Sequence, residues 1–275
     1  MINAHTGLYG IIGNPVRHSL SPIIHNGAFR RMGINAVYLA FEVNDLKKAI
    51  GGMRELGVRG LSVTIPFKTQ ILPYLDNVED LAGRIRAVNT LAVEGETLVG
   101  YNTDCCGALE PLEEKVRLRG KKVVLLGAGG AARAIGFGLK EKGCEVVIFN
   151  RSRKRAEVLA GELGCAHHRL SSFKKMDGDI LVNATSVGMH PHDTETPVPK
   201  EVLREGMVVM VIVYKPFRTR LLREAEERGC MAITGLEMLA RQGAVQLEIW
   251  TGVKQEMGQI REDLRSVLEG GVSHR

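Results

Sequence analysis

No apolar run in this sequence approaches the ~20 residues that a membrane-spanning helix needs. The opening MINAHTGLYG carries no basic segment followed by an apolar core, so no secretory signal is expected. The five cysteines, Cys105, Cys106, Cys144, Cys165 and Cys230, include no CxxC pair and no metal-ligand spacing. An odd number of scattered thiols fits a reducing cytoplasm, and adjacent Cys105 and Cys106 read as small apolar residues rather than redox groups. His167-His168 and His190-Pro191-His192 lack carboxylate or thiol partners at ligand spacing; they read as surface loop, and no metal is expected. There is no internal repeat, no low-complexity linker and no nucleic-acid motif. The net charge of +6 therefore points to anionic ligands in general, not to nucleic acid.

What is present is an ordinary globular composition, 44% hydrophobic and 25% charged, in 275 residues that can form one large or two modest domains. Apolar runs and helical periodicities alternate through the first hundred residues. Strands are expected at 8–12, 36–41 and 60–64, and helices at 22–32, 45–55 and about 67–85. A hairpin is expected from 90–93 to 97–99 across Glu94-Gly95-Glu96. A helix at 105–117 leads to further strands at 123–126, 145–149, 179–183, 207–213 and 231–233. From Leu236 onward the pattern is helical, and the terminal EGGVSHR is expected to fray. The fold class is α/β with two domains. An N-terminal, mostly parallel domain spans 1–103 and recovers 237–275, and a Rossmann-like domain spans 104–236.

Residues 127–132 read GAGGAA directly after the apolar Val123-Val124-Leu125-Leu126. A strand running into G-x-G-x-x-A and then a helix is the dinucleotide fingerprint: a tight turn at Gly127, close backbone approach at Gly129, and a small residue at Ala132 for helix–strand packing. The helix N-terminus offers unpaired N–H groups to phosphates. The next strand, 145–149, ends in Asn150-Arg151-Ser152-Arg153-Lys154-Arg155. NAD sites carry an acid there; a basic end suits the 2′-phosphate of NADP, which Arg grips with its planar fork. Alone, RSRKR would read as a solvated helix start or a nucleic-acid patch; its place after GAGGAA favours NADP(H).

Four other strings carry polar groups at strand ends. In Gly13-Asn14-Pro15-Val16-Arg17-His18-Ser19-Leu20-Ser21-Pro22, Ser21 reads as an N-cap with Pro22 at the first helical position. Two hydroxyls at a helix N-terminus make a place for a carboxylate, although Ser21 capping and Ser19 as plain loop remain open. In Ser62-Val63-Thr64-Ile65-Pro66-Phe67-Lys68 a lysine stands just past a parallel strand, where open α/β sheets carry functional groups. Ala87-Val88-Asn89-Thr90 and Gly100-Tyr101-Asn102-Thr103-Asp104 follow. Taken singly, Asp104 could merely cap its helix and Lys68 merely face solvent.

In combination, the chain resembles the shikimate dehydrogenase family over essentially its whole length. The matching pieces are GNPVRHSLSPIIHN, VTIPFK, AVNT, GYNTD, GAGGAA, NRS with Arg155, NATSVGM at 183–189, Tyr214-Lys215-Pro216 with Thr219, and GLEMLARQ at 235–242. The resemblance implies NADPH-dependent, reversible reduction of 3-dehydroshikimate to shikimate, on the chorismate route to aromatic amino acids. It implies that Ser19 and Ser21 hold the substrate carboxylate. Thr64, Lys68, Asn89, Asp104, Tyr214 and Gln242 would bind the rest of the substrate, with Lys68 and Asp104 as the catalytic pair. Gly127, Ala128, Gly129, Gly130 and Ala131 would cradle the pyrophosphate. Asn150, Arg151, Ser152 and Arg155 would take the adenosine 2′-phosphate end, Ile212 and Gly235 would line the nicotinamide, and Asp80 matches a position assigned to the cofactor.

Three positions depart from the family pattern: Ser62 where Asn is usual, Arg86 where Gly precedes Ala-Val-Asn-Thr, and Val211 where Asp is usual. None removes Lys68 or Asp104. A quinate/shikimate dehydrogenase of broader substrate use and a non-catalytic shikimate- or NADPH-sensing homologue are the alternatives. The partner implied is a small molecule, with no nucleic acid and no membrane. The sequence leaves the oligomeric state open, a homodimer included.

Overall fold

The computed structural model describes residues 2–269; of the tail expected to fray, residues 270–275 lie outside the described residues. Two compact units form. One holds the chain up to Thr103 together with the segment from Ala240 onward, and the other is Asp104–Leu239. Among the described residues no helix is long and apolar enough to cross a membrane.

The N-terminal unit is a six-stranded sheet built from β1 (Gly7–Gly13), β2 (Ala36–Glu42), β3 (Val58–Val63), β4 (Asn77–Val78), β5 (Thr90–Glu94) and β6 (Thr97–Tyr101). The strand order is β2-β1-β3-β5-β6-β4. β1 lies parallel to both β2 and β3, so it is buried along nearly its whole length, as an interior parallel strand must be. α1 (Ser21–Arg31) and α2 (Leu46–Glu55) provide the crossovers. Asp45 starts α2 by accepting the Lys48 N–H at 3.1 Å, and Leu46, Ile50 and Met53 then point into a core with Ile12, Leu61, Val63 and Leu91. β5 and β6 pair antiparallel with Glu94 opposite Thr97, leaving a two-residue turn in which Gly95 supplies φ +64°.

β2 is an edge strand. From α1, Asn26 uses its whole amide on it: Nδ2 donates to the Tyr38 carbonyl at 2.8 Å and Oδ1 accepts the Tyr38 N–H at 2.9 Å.

The expected long helix over 67–85 does not form. The segment is a turn, a short 3₁₀ helix at Leu72–Tyr74, then β4, and only α3 (Asp80–Ile85) is α-helical. Pro73 lacks an N–H for a continuing helix. Asp76 accepts the Leu98 N–H at 2.8 Å and pairs with Arg54, which draws the chain out alongside β6. α3 closes on Arg86 at φ 57°, the one non-glycine residue with positive φ among the described residues. That left-handed position explains why glycine is the usual residue there. Arginine accepts it at a cost on the order of 1 kcal/mol.

The second unit is a parallel sheet of β7 (Lys122–Leu126), β8 (Glu145–Asn150), β9 (Ala166–Arg169), β10 (Ile180–Asn183), β11 (Val208–Val211) and β12 (Met231–Ile233). Its order, β12-β11-β10-β7-β8-β9, is the doubly wound arrangement of dinucleotide-binding sheets, with the switch point between β7 and β10. α4 (Asp104–Glu113), α5 (Gly130–Glu141), α6 (Arg153–Leu163) and α7 (Arg220–Glu227) flank it, and α8 (Gly235–Thr251) and α9 (Met257–Glu269) follow. Ala132 is fully buried, and a Cβ on Gly136 would come within 2.7 Å of Leu163, so small residues are what bring α5 down onto its neighbours. Val211 is fully buried in the core of this unit with Leu126, Phe149, Leu181 and Val209, which gives the departure from aspartate a packing role.

His167 and His168 do not lie on a loop. They sit on the edge strand β9, paired with Ile148 and Phe149 of β8, and the His168 ring rests 5.3 Å from that of Phe149. The four residues AHHR are too short and too polar to show a period of two. Cys105 is buried, where its sulfur occupies the space beside Gly138. Burial, reinforced by Glu110, pushes the Cys106 thiol up to about 12, so it stays protonated at neutral pH.

Candidate active site

In the N-terminal unit the segments expected to hold substrate converge at the carboxyl ends of β1 and β3. Thr64 donates its N–H to the Ile12 carbonyl at 3.0 Å, and Asn14 donates to Ile65 at 2.9 Å, so the loop after β1 and the turn after β3 are stitched together. Gly13 makes this possible, because a Cβ there would lie 2.4 Å from the Thr64 methyl. The turn closes with the Phe67 N–H on the Thr64 carbonyl at 2.9 Å and presents Lys68, partly buried, one residue later. The Lys68 carbonyl accepts the Val88 N–H at 2.8 Å, which ties the lysine's backbone to the residue before Asn89.

Asn89 is buried, at 2% exposure. Its Oδ1 accepts the Thr103 N–H at 2.8 Å and the Thr90 hydroxyl at 2.9 Å; its Nδ2 donates to the Thr103 hydroxyl at 3.0 Å and toward Gln242 Oε1 at 3.5 Å. Ser19 and Ser21 are joined by the Ser21 N–H donating to Ser19 Oγ at 3.2 Å. Ser21 is not the N-cap. Leu20 holds that position in a helical conformation with no side-chain cap, and Ser21 is the first helical residue, 3% exposed. Its hydroxyl is thereby released from capping and lies beside that of Tyr38. Asp80 stands apart from these groups, exposed in the first turn of α3, where an acid suits the helix dipole.

In the second unit Asp104 opens α4 and is 3% exposed. At the end of β7, Gly127 takes φ +113°, and a Cβ there would meet the Ala184 carbonyl oxygen at 3.0 Å. Ala128 follows, and Gly129 is an extended N-cap with no side chain to occupy the first N–H groups of α5, which continues through Gly130 and Ala131. That is a phosphate cradle: free donors, a positive helix end and no intervening side chain. Beyond β8, Asn150 donates Nδ2 to the Ser152 carbonyl at 2.9 Å, and the Ser152 hydroxyl caps α6 at the Arg155 N–H. Arg151, Arg153, Lys154 and Arg155 are exposed around this end, which carries no carboxylate. On the other side of the switch point, the Ile212 N–H donates to the Asn183 carbonyl at 3.1 Å. Gly235 packs so tightly that a Cβ would be 2.4 Å from the Val213 carbonyl oxygen, and Tyr214, partly buried, follows at once.

Sequence reasoning missed a buried polar group behind Asn89. Tyr38 donates its hydroxyl to Ser62 at 2.7 Å, Ser62 donates to Gln246 Oε1 at 2.9 Å, and Gln246 Nε2 donates to Thr90 Oγ1 at 2.9 Å and to the Asn89 carbonyl at 3.2 Å. Burial raises the Tyr38 phenol above its usual range, against the opposing effect of Ser62 and Ser21. His25 stacks on Tyr38 with ring centroids 4.3 Å apart. Burial holds its imidazole down at about 3; Gln246 approaches the ring, but neither nitrogen completes a hydrogen bond. One signal was available in the sequence: Gln242 and Gln246, four apart, interrupt the apolar periodicity of 236–250.

Family comparisons fall on both units. Residues 11–91 match the shikimate dehydrogenase substrate binding domain, 110–207 the shikimate / quinate 5-dehydrogenase family, and 235–255 the shikimate 5′-dehydrogenase C-terminal domain. A curated shikimate dehydrogenase (NADP(+)) of Thermococcus kodakarensis is 47% identical over 98% of this chain and 99% of its own. The chain belongs to the shikimate dehydrogenase family. Another family member, from Pyrococcus furiosus, is also 47% identical, over 95% of this chain and 96% of its own. A shikimate dehydrogenase solved in complex with NADP+ superposes with a TM-score of 0.93 at 43% identity, covering 98% of both chains. The Thermus thermophilus enzyme solved with NADP(H) and shikimate gives a TM-score of 0.88 at 39% identity over 96% of this chain and all of that one.

Proposed function

We propose that this chain is an NADP-dependent shikimate dehydrogenase that reduces 3-dehydroshikimate reversibly to shikimate, in the chorismate route to aromatic amino acids. One observation carries the reading. A family member named for this reaction matches 98% of the chain at 47% identity. The residues present fit the cofactor: Gly127 has no room for a side chain, the start of α5 is uncapped, and β8 ends among cations. The segment to Thr103 with the part from Ala240 onward is the substrate-binding portion; the rest binds NADP(H). Five free thiols favour a cytoplasmic setting.

NADPH, when bound, supplies the hydride. The chain's own residues do the rest. Ser19 and Ser21 bind the substrate carboxylate with their hydroxyls. Thr64, Asn89, Tyr214 and Gln242 fix the ring hydroxyls. As negative charge grows on the C3 oxygen, the Lys68 ammonium stabilises it and delivers the proton; in reverse, the neutral amine takes it back. Asp104 orients that ammonium and bonds the neighbouring hydroxyl. Gly127 to Ala131 hold the pyrophosphate, Asn150, Arg151, Ser152 and Arg155 hold the 2′-phosphate end, and Ile212 and Gly235 line the nicotinamide. Asp80, exposed in the first turn of α3, completes the cofactor set.

The test is a spectrophotometric assay at ~340 nm with shikimate and quinate, each with NADP+ and NAD+. Shikimate with NADP+ should give the highest kcat/KM. Quinate turnover at a similar level would identify the broader enzyme, a reading favoured by the shikimate / quinate family description over 110–207. Ligand binding with no turnover of either substrate would identify a sensing homologue.

A further inference from the structure

We propose that Gln246 is a positioning residue for the amides of Asn89 and Gln242, an inference that rests on reading those two as substrate contacts. Gln242, Gln246 and Trp250 are four residues apart and share one face of α8. Each reaches a successive residue of the β5 region. Asn89 Nδ2 lies 3.5 Å from Gln242 Oε1, Gln246 Nε2 bonds the Asn89 carbonyl at 3.2 Å and the Thr90 hydroxyl at 2.9 Å, and Trp250 Nε1 bonds the Leu91 carbonyl at 2.9 Å. A Cβ on Gly60 would lie 2.4 Å from the Trp250 indole nitrogen, so the far end of this face is seated closely on the sheet. Gln246 is the middle tooth. It sets the register in which Gln242, one turn earlier, meets Asn89.

The hydrogen bonds also have a forced direction. A main-chain carbonyl can only accept, so the Gln246 nitrogen must face Asn89, and its oxygen must face the Ser62 hydroxyl. Ser62 spends its proton on Gln246 and is itself bonded by the Tyr38 hydroxyl. Thr90 accepts from Gln246 and therefore gives its own proton to Asn89 Oδ1, which the Thr103 N–H also holds. The oxygen of the Asn89 amide is committed inward, and its nitrogen is turned toward the Thr103 hydroxyl and Gln242. Tyr38, Thr90 and Gln246 are 0% exposed, Asn89 2% and Ser62 4%, so no solvent stands ready to replace a lost partner. Ser62, shorter than the asparagine usual at its position, is the link that lets tyrosine and glutamine meet there.

The test compares KM for shikimate and for NADP+, kcat and Tm in Gln246→Met, Thr90→Val, Thr90→Ser and Asn89→Ala. Thr90→Val removes the relaying hydroxyl at nearly constant volume, and Thr90→Ser keeps it. Gln246→Met should raise shikimate KM roughly tenfold with NADP+ KM within about twofold of the parent. Thr90→Val should follow in the same direction and Thr90→Ser should restore binding. In an Asn89→Ala background Gln246→Met should add less than about twofold, because the two act through one contact. Proportional rises in both KM values, a lowered Tm with parental shikimate KM, equal impairment in the Val and Ser variants, or full additivity with Asn89→Ala would each overturn the proposal. Parental shikimate KM in Asn89→Ala itself would remove Asn89 as a substrate contact, and the proposal with it; that result is told apart because it appears before Gln246 is touched.

Discussion

Lys68 stands on a turn held from three sides: by the Thr64 N–H on β1, by Asn14 on Ile65, and by Val88 on the lysine's own carbonyl. Side chains on so fixed a backbone can be removed without collapse of the surrounding turn. Lys68→Ala should therefore lower kcat by ~10²–10⁴ while shikimate KM changes little, since the group acts on charge that exists only in the transition state. Steady-state kinetics with folding checked by circular dichroism measures this, and unchanged turnover would take Lys68 out of the chemistry. Arg151 is exposed and surrounded by like charges, so its loss perturbs nothing packed. Arg151→Ala should raise NADPH KM about tenfold or more and leave NADH KM nearly unaltered. Equal losses for both cofactors would mean that the 2′-phosphate is read elsewhere.

Elements meet here through missing side chains. At Gly235 an added Cβ would lie 2.4 Å from the Val213 oxygen and 2.6 Å from the Ile212 carbonyl carbon, both backbone atoms that no rotamer change can move aside. Alanine is intrinsically favoured over glycine in a helix by up to about 1 kcal/mol, but overpacking of this kind costs about 1–3 kcal/mol. The clash should win. Gly235→Ala is expected to lower the midpoint of thermal unfolding by several degrees, and to weaken NADP+ binding if Ile212 lines the nicotinamide. A rise in Tm would show that the start of α8 yields freely. The elements legible in the sequence were those with a strong period or a strong terminus: β1, β3, β7, α5 and α2. Those that escaped had neither. β9 is four residues, three of them polar, recruited by the free edge of β8, and the 72–78 stretch, expected to be helical, is captured by Asp76 and by β6. Tertiary hydrogen bonding overrode local preference in both.

Across the whole molecule the site motifs were readable because contiguous strings mark strand ends: GNPVRHSLSP, VTIPFK and GAGGAA each follow one strand. The support behind Asn89 was not, because Tyr38, Ser62, Thr90 and Gln246 come from four elements and only the folded sheet brings them together. The same buried cluster sets a global property. His25 is held neutral at about 3 in the fold and titrates near its usual value when unfolded. Below pH 6.5 the unfolded chain takes up a proton that the native state refuses, so stability is complete above that value and falls as pH drops toward 3. From pH 6.5 to 5 this amounts to about 2 kcal/mol, before most carboxylates titrate. Urea unfolding at those two pH values should show it, and His25→Phe should flatten the slope; an unchanged slope would place the proton elsewhere. Asn26, bonded to the Tyr38 backbone, has a consequence for crowding. By taking both backbone groups of Tyr38, the third residue of β2, it removes a rung on which another chain could pair, although Leu39 beside it is 45% exposed. A single amide on α1 thus shortens the open margin of the sheet along which a neighbouring molecule could align.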